Sequence, residues 1–155
     1  MIRRMRHLCY VIILAGLVGS VAQVQAEQTI AYGTMIHQAK VDGYSLHYHL
    51  LSWKERNQLM KGMEGMAMPG VDLSGKATHH LLLYVQGGDG KTISSAKVGF
   101  KITAPDGSVQ TTLTMEMQGG YGADVVMPAN GTYIVKTKAV LGEKTVTDEF
   151  TFALK

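Results

Sequence analysis

Short runs in which apolar and polar residues alternate follow one another from Thr78 to the end of the chain, separated by turn residues at intervals of about ten. Period-two alternation is typical of a half-buried β-strand, and regularly spaced turns are typical of a sandwich or barrel. The predicted strands span residues 78–86, 96–104, 109–117, 121–127, 132–140 and 145–154. Two earlier strands, 29–41 and 43–53, meet at Asp42-Gly43, a strong hairpin signal. The pattern predicts an all-β, antiparallel sandwich of about seven or eight strands.

Strand parity assigns the side chains to faces, because successive residues of a strand point to opposite sides of the sheet. The expected core rows are Val98, Phe100 and Ile102; Tyr133, Val135 and Ala139; and Phe150, Phe152 and Leu154. On strand 43–53 the apolar row is Tyr44, Leu46, Tyr48 and Leu50. This parity sends His47 and His49 together to the other face, with Cα atoms about 6.5 to 7 Å apart. They are close enough to chelate a metal ion, although such a pair is more often plain surface.

The alternation fails between residues 54 and 77, which read KERNQLMKGMEGMAMPGVDLSGKA. One or two helical turns could begin near Trp53, but Gly62 and Gly65 would each cost a continuous helix about 1 kcal/mol. A loop of this length inside a compact domain is usually functional or disordered. Its methionines are Met60, Met63, Met66 and Met68. They form either an apolar lid, since methionine fills irregular gaps, or a set of thioether ligands for a soft metal ion.

Two histidines stand where the next strand leaves this loop. His79 and His80 are neighbours in sequence, so on a regular strand they face opposite ways and one ion cannot use both. His80 is the preferred ligand, because His79 shares its parity with the apolar row Leu81, Leu83 and Val85.

Met115 and Met117 form a further methionine pair, near the end of predicted strand 109–117. Simple alternation of strand direction places them at the opposite end of the sandwich from the loop. Their parity matches Val109 and Leu113, which favours core packing and leaves a second metal site as the alternative.

The first 26 residues predict a cleaved signal peptide. Three early arginines precede a short apolar run, and Val24 and Ala26 are the small residues expected before a peptidase cut at Glu27. This predicts a soluble periplasmic product in a Gram-negative cell, with one domain from 27 to 155 and no membrane insertion after cleavage. The leader carries three of the fifteen Lys and Arg residues and none of the twelve acids, so the remainder is electrically balanced. Nucleic acid is therefore not an expected partner.

The chemistry left to the mature chain is that of methionine and histidine. The single cysteine, Cys9, lies in the leader. Thioethers and neutral imidazoles suit copper, with Cu(I) favoured by methionine and Cu(II) possible where histidine joins. Catalytic signatures such as Gly-x-Ser-x-Gly, His-Glu-x-x-His or a phosphate loop do not occur, so no enzyme activity is expected. The hypothesis is a copper carrier or copper-tolerance protein that serves a periplasmic or inner-membrane metalloprotein or assembly factor. The alternatives are a metal-free envelope interaction module and a periplasmic Fe(II)-handling protein.

About half of the mature chain resembles a known group of exported domains. Ala96, Val98, Asp106-Gly107, Tyr121 and Gly131, together with Met115, Met117 and Tyr133, match the pattern of small immunoglobulin-like sandwiches of the YtkA-like and FixH-like type. Copper resistance protein C is a looser match. The resemblance implies an immunoglobulin-like fold and, if these proteins carry copper, a role for Met115 and Met117 as ligands. The methionine loop and the His47/His49 pair lie outside the matched part.

Overall fold

The computed structural model describes residues 32–61 and 76–155, and within them nine strands and one short helix. The elements are β1 Thr34–Val41, β2 Tyr44–Ser52, α1 Trp53–Leu59, β3 His79–Gln86, β4 Lys97–Thr103, β5 Val109–Leu113, β6 Met115–Met117, β7 Gly120–Val125, β8 Gly131–Leu141 and β9 Lys144–Leu154. The predicted leader, with Val24 and Ala26, lies outside the described residues, as do Met63, Met66 and Met68.

The strands form two antiparallel sheets that enclose the main core. One sheet has the order β1-β2-β3-β7-β6 and the other the order β5-β4-β8-β9. Tyr48, Leu83 and Tyr121 from the first sheet pack against Phe100 and Tyr133 from the second. Burial of these side chains removes apolar surface from water, which is the main stabilising term of the fold. The predicted all-β sandwich is confirmed, with Phe152 and Leu154 only partly buried at the edge of the core.

The first hairpin fixes which face of β2 is buried. Asp42 and Gly43 have φ angles of 50° and 83°, the left-handed pair that a two-residue turn matched to strand twist requires. The resulting register places Leu46, Tyr48 and Leu50 in the core. A one-residue slip would send every one of these side chains to the other face. The hairpin prediction and the face assigned to His47 and His49 are both confirmed.

The predicted strand 109–117 is wrong as a single strand, because the chain changes sheets at Thr114. β5 belongs to the four-stranded sheet and β6 to the five-stranded sheet. Both the backbone N–H and the hydroxyl of Thr114 donate to the Val98 carbonyl, at 3.0 and 3.1 Å. Val109 and Leu113 are 55% and 60% exposed, so they do not form a core row. Parity along the sequence therefore does not carry over from β5 to β6.

A second, smaller apolar cluster covers the outer face of the five-stranded sheet. It consists of Leu51, Leu59, Met60, Leu82, Tyr84 and Met117, with Met115 and Tyr32 partly buried against it. Helix α1 contributes Leu59 and packs on β2 and β3. In the described ranges the structure has no helix that is long and apolar enough to cross a membrane.

Candidate metal centre

His80 lies beneath this outer cluster and is completely buried. It is paired with Asp124 in the register of β3 and β7, and its Nδ1 lies 2.7 Å from Asp124 Oδ1. A buried imidazole is stable only where its polar atoms find partners, because the interior offers no water to replace them. Asp124 is the partner of one of the two ring nitrogens of His80, Nδ1.

Arg56 completes this network from helix α1. Its Nε donates to Asp124 Oδ1 at 3.0 Å and its Nη2 donates to Asp124 Oδ2 at 2.8 Å, a bidentate arrangement. Burial alone would raise the pKa of Asp124, but hydrogen bonds and positive charge from His80 and Arg56 outweigh it and lower that pKa. The ionised carboxylate accepts the hydrogen bond from His80 Nδ1–H, and in the tautomer that carries its only proton there, Nε2 has the free lone pair.

His80 Nε2 is buried and has no hydrogen-bond partner within the described part of the chain. It lies above Gly122 of β7, so close that a Cβ atom at this position would overlap it. Glycine inside a strand often marks such a close approach. The absence of a side chain at Gly122 therefore makes room for the His80 ring itself.

Three methionines lie on the same face of the sheet as His80. Met115 is the register partner of Gly122 and Met117 that of Gly120, while Met60 lies at the end of α1 in one cluster with Met117. The prediction that Met115 and Met117 lie at the opposite end of the sandwich is wrong. β6 is a separate short strand that starts at Met115 and pairs with β7. Met115 is therefore in register with Gly122 and Leu82, and Leu82 is two residues from His80 along β3. Whether these thioethers bind metal remains a prediction.

His79 is separate from this centre. Its Nδ1 lies 2.9 Å from the Thr78 hydroxyl, which also accepts the Met127 N–H at 2.8 Å. Desolvation lowers the pKa of His79. The two neighbouring histidines thus face opposite ways, as expected, and of these two only His80 shares a face with the described methionines of the outer cluster.

The histidine pair of β2 lies on the same outer face but two strands from β7. His47 is half-buried, while His49 is only 6% exposed and meets the ring of Tyr84 edge-on at 5.6 Å between centroids. The alternative that this pair is ordinary exposed surface is therefore wrong for His49, because α1 and its cluster cover part of this face of the sheet. Among the residues that the structure describes, no three His, Cys, Asp or Glu side chains gather into a metal-binding group.

Three residues of the centre were not predicted from the sequence. Asp124 was one of several scattered acids, Arg56 belonged to a polar segment, and Gly122 lay in the predicted strand 121–127 without being singled out. Alternating glycines at 120 and 122 within an otherwise strand-like run could have indicated a close contact. Nothing in the sequence signals that Arg56 would reach Asp124, 68 residues away.

Comparison with known proteins establishes the fold and no family. Neither a family model nor a curated protein matches this chain significantly. Several solved structures resemble it, including the following two. A copper-bound variant of FetP from uropathogenic Escherichia coli strain F11 has a TM-score of 0.60 and 17% identity, over 81% of this chain and 93% of that one. A DUF4426 family protein from Pseudomonas aeruginosa PAO1 has a TM-score of 0.56 and 15% identity, over 77% and 94%. The YtkA-like or FixH-like assignment remains a prediction.

Proposed function

We propose that this protein is a periplasmic copper-binding carrier whose central ligand is His80 Nε2. The observation that carries the proposal is a buried imidazole nitrogen with no partner in the described structure, placed above a glycine and beside a methionine strand. A buried, unpaired lone pair costs free energy unless something binds it. A metal ion held between His80 and the neighbouring thioethers would satisfy it.

The surroundings of His80 fit a metal ligand. Histidines that bind metals almost always donate their other ring N–H to a carboxylate or carbonyl, and Asp124 occupies that place here. Arg56 balances the charge of Asp124, so the donor set that faces an ion is neutral. Neutral imidazole and thioether donors favour copper, and Cu(I) in particular. That FetP is copper-bound in a structure of the same fold supports this choice of metal.

Fe(II) fits the centre less well. Both oxygens of Asp124 already accept hydrogen bonds from Arg56 and His80, so the nearest carboxylate is not free to serve as a hard ligand. Carboxylate and water oxygens are what harder ions prefer.

Delivery would proceed by ligand exchange. Met60 lies at the end of α1, and Met63, Met66 and Met68 follow it in the sequence, outside the described residues. Thioethers bind copper without a proton to lose, so transfer of the ion from one methionine to another needs no protonation step. Periplasmic or inner-membrane metalloproteins and assembly factors are the class of recipient we propose, and catalysis has no part in this function.

The test is competition for Cu(I) against a chromogenic chelator, using the mature protein without a histidine tag. We expect His80→Gln and Met115→Leu each to lower the affinity by more than about tenfold, because each removes a donor atom. The leucine swap should cost less than about 1.5 kcal/mol of stability, since it preserves volume. His37→Gln is the matched control, because His37 pairs with Asp148 at 3.3 Å and stacks on Phe150 between the sheets.

Unchanged copper affinity in both variants would refute this centre. The rival is a metal-free interaction module, which the apolar packing of Met60 and Met117 on the sheet would also suit. That rival predicts a wild-type affinity no higher than that of a generic histidine-bearing surface, and partner binding that survives methionine-to-leucine changes.

A further inference from the structure

The outer face of the β1–β2 ribbon carries a second group of soft donors, away from His80. We propose that Met35, His47 and His49 form a second copper site, which binds an ion independently of the first. It shares the metal with the function proposed above but none of the ligands, so either can fail without the other.

His49 supplies the buried donor of this site. Its Nδ1 is fully buried and unpartnered within the described residues. The backbone of Gly33 and Tyr32 lies beside the same ring, and an ion would bind at the lone pair of the unpartnered Nδ1. Burial lowers the pKa of the His49 ring.

Met35 stands directly beside His49. The two residues are register partners on β1 and β2, so their side chains share a face and their Cβ atoms lie about 5 Å apart. Directly after Met35 the register shifts by a β-bulge, and His37 then points to the sandwich interior against Tyr48. Met35 is 53% exposed, an unusual position for a thioether that nothing in the core requires. An incoming ion would meet this sulfur first.

His47 provides the third donor. It lies two residues before His49 on the same face, with a Cα separation of about 6.5 to 7 Å. Because both side chains lie on the outer face of β2, the two rings can approach one ion. Two imidazoles and one thioether form a neutral donor set that accepts Cu(I) and, with more nitrogen than the His80 centre, also Cu(II).

The two groups cannot share one ion. A single cross-strand row runs Met35, His49, Leu82, Gly122, Met115 across the five-stranded sheet. Leu82 separates His49 from Gly122, and two strand spacings amount to about 9.5 Å. The same face therefore presents an outer site at β1–β2 and a buried site at β7–β6, each with its own unpartnered imidazole nitrogen.

Native mass spectrometry of the mature protein titrated with Ag(I), a redox-inert stand-in for Cu(I), tests this inference. We expect two equivalents for the wild type, one for Met35→Leu/His47→Gln, one for His80→Gln, and none for the combined variant. His49→Gln removes a different donor of the outer site and should also bind one equivalent. Met127→Leu, which removes a thioether from the main core, and His37→Gln should both retain two equivalents.

The outcomes separate the two sites. Two equivalents in Met35→Leu/His47→Gln and in His49→Gln would overturn the second site. A single wild-type equivalent that only His80→Gln removes would also overturn it and leave the proposed function standing. A single equivalent that persists in His80→Gln but disappears in Met35→Leu/His47→Gln would support the second site and refute the first. No binding by the wild type would refute both.

Discussion

At the residue scale, the conformation of His80 depends on Asp124. The carboxylate takes the Nδ1–H at 2.7 Å and is held by two hydrogen bonds from Arg56. Two charge-assisted bonds fix the carboxylate in one orientation, and this orientation fixes the ring above Gly122. Asp124 is therefore a positioning residue, which acts on an ion only through His80.

Replacing Asp124 with asparagine should weaken copper binding without removing a ligand. The neutral amide accepts the His80 proton less strongly and no longer balances Arg56. We expect a 10- to 100-fold loss of Cu(I) affinity, the usual range for the second partner of a ligating histidine, measured against the same chelator. Asp89→Asn, in an exposed turn, is the control and should leave the affinity unchanged. An Asp124→Asn protein with wild-type affinity would show that the carboxylate has no positioning role.

At the element scale, helix α1 brings Arg56 to the sheet. Ser52 caps it, because its hydroxyl accepts the Glu55 N–H at 3.3 Å while the Glu55 carboxylate accepts the Ser52 N–H at 2.8 Å. The guanidinium also stacks over Trp53 at 4.8 Å. A seven-residue helix is too short to be stable alone, so the cap and the packing of Leu59 maintain it.

Ser52→Ala should therefore destabilise the protein by about 0.5 to 2 kcal/mol, because the Glu55 N–H loses its acceptor. Denaturant unfolding of the metal-free protein measures this change. Ser45→Ala, on the same strand but away from the helix, should have a much smaller effect. Equal stability of the two variants would mean that packing alone positions α1.

At the scale of the whole molecule, the two faces of the five-stranded sheet have different roles. The inner face packs against the second sheet, and the outer face carries both candidate sites beneath and beside α1. A rigid sheet whose inner face is fixed by the core offers well-placed ligands on the other face, which is what a metal site requires.

The predicted export is also a property of the whole chain. The arginines, the apolar run and Ala26 predict cleavage before Glu27. Mass spectrometry of protein from the periplasmic fraction should find Glu27 at the N-terminus. Recovery of residues 1–26 on a membrane-bound product would contradict the periplasmic localisation that we propose.

Apart from the stretch 109–117, the sequence by itself determined the strands, most of their buried faces and the first hairpin, because period-two alternation and an Asp-Gly turn are local signals. The outer position of His47 and His49 and the opposite faces of His79 and His80 followed from the same parity. The composition of the chain also indicated the donor chemistry. Once Cys9 is assigned to the predicted leader, methionine and histidine are the soft ligands that remain.

Only the tertiary structure decided which of these donors meet. The change of sheet at Thr114 separated Met115 from the parity of Leu113 and brought it to Gly122. Pairing of β3 with β7 joined His80 to Asp124, and α1 added Arg56 from a distant part of the chain. Such contacts depend on strand order and on which sheet each strand joins. Those choices are set by burial over the whole domain, and no local period in the sequence encodes them.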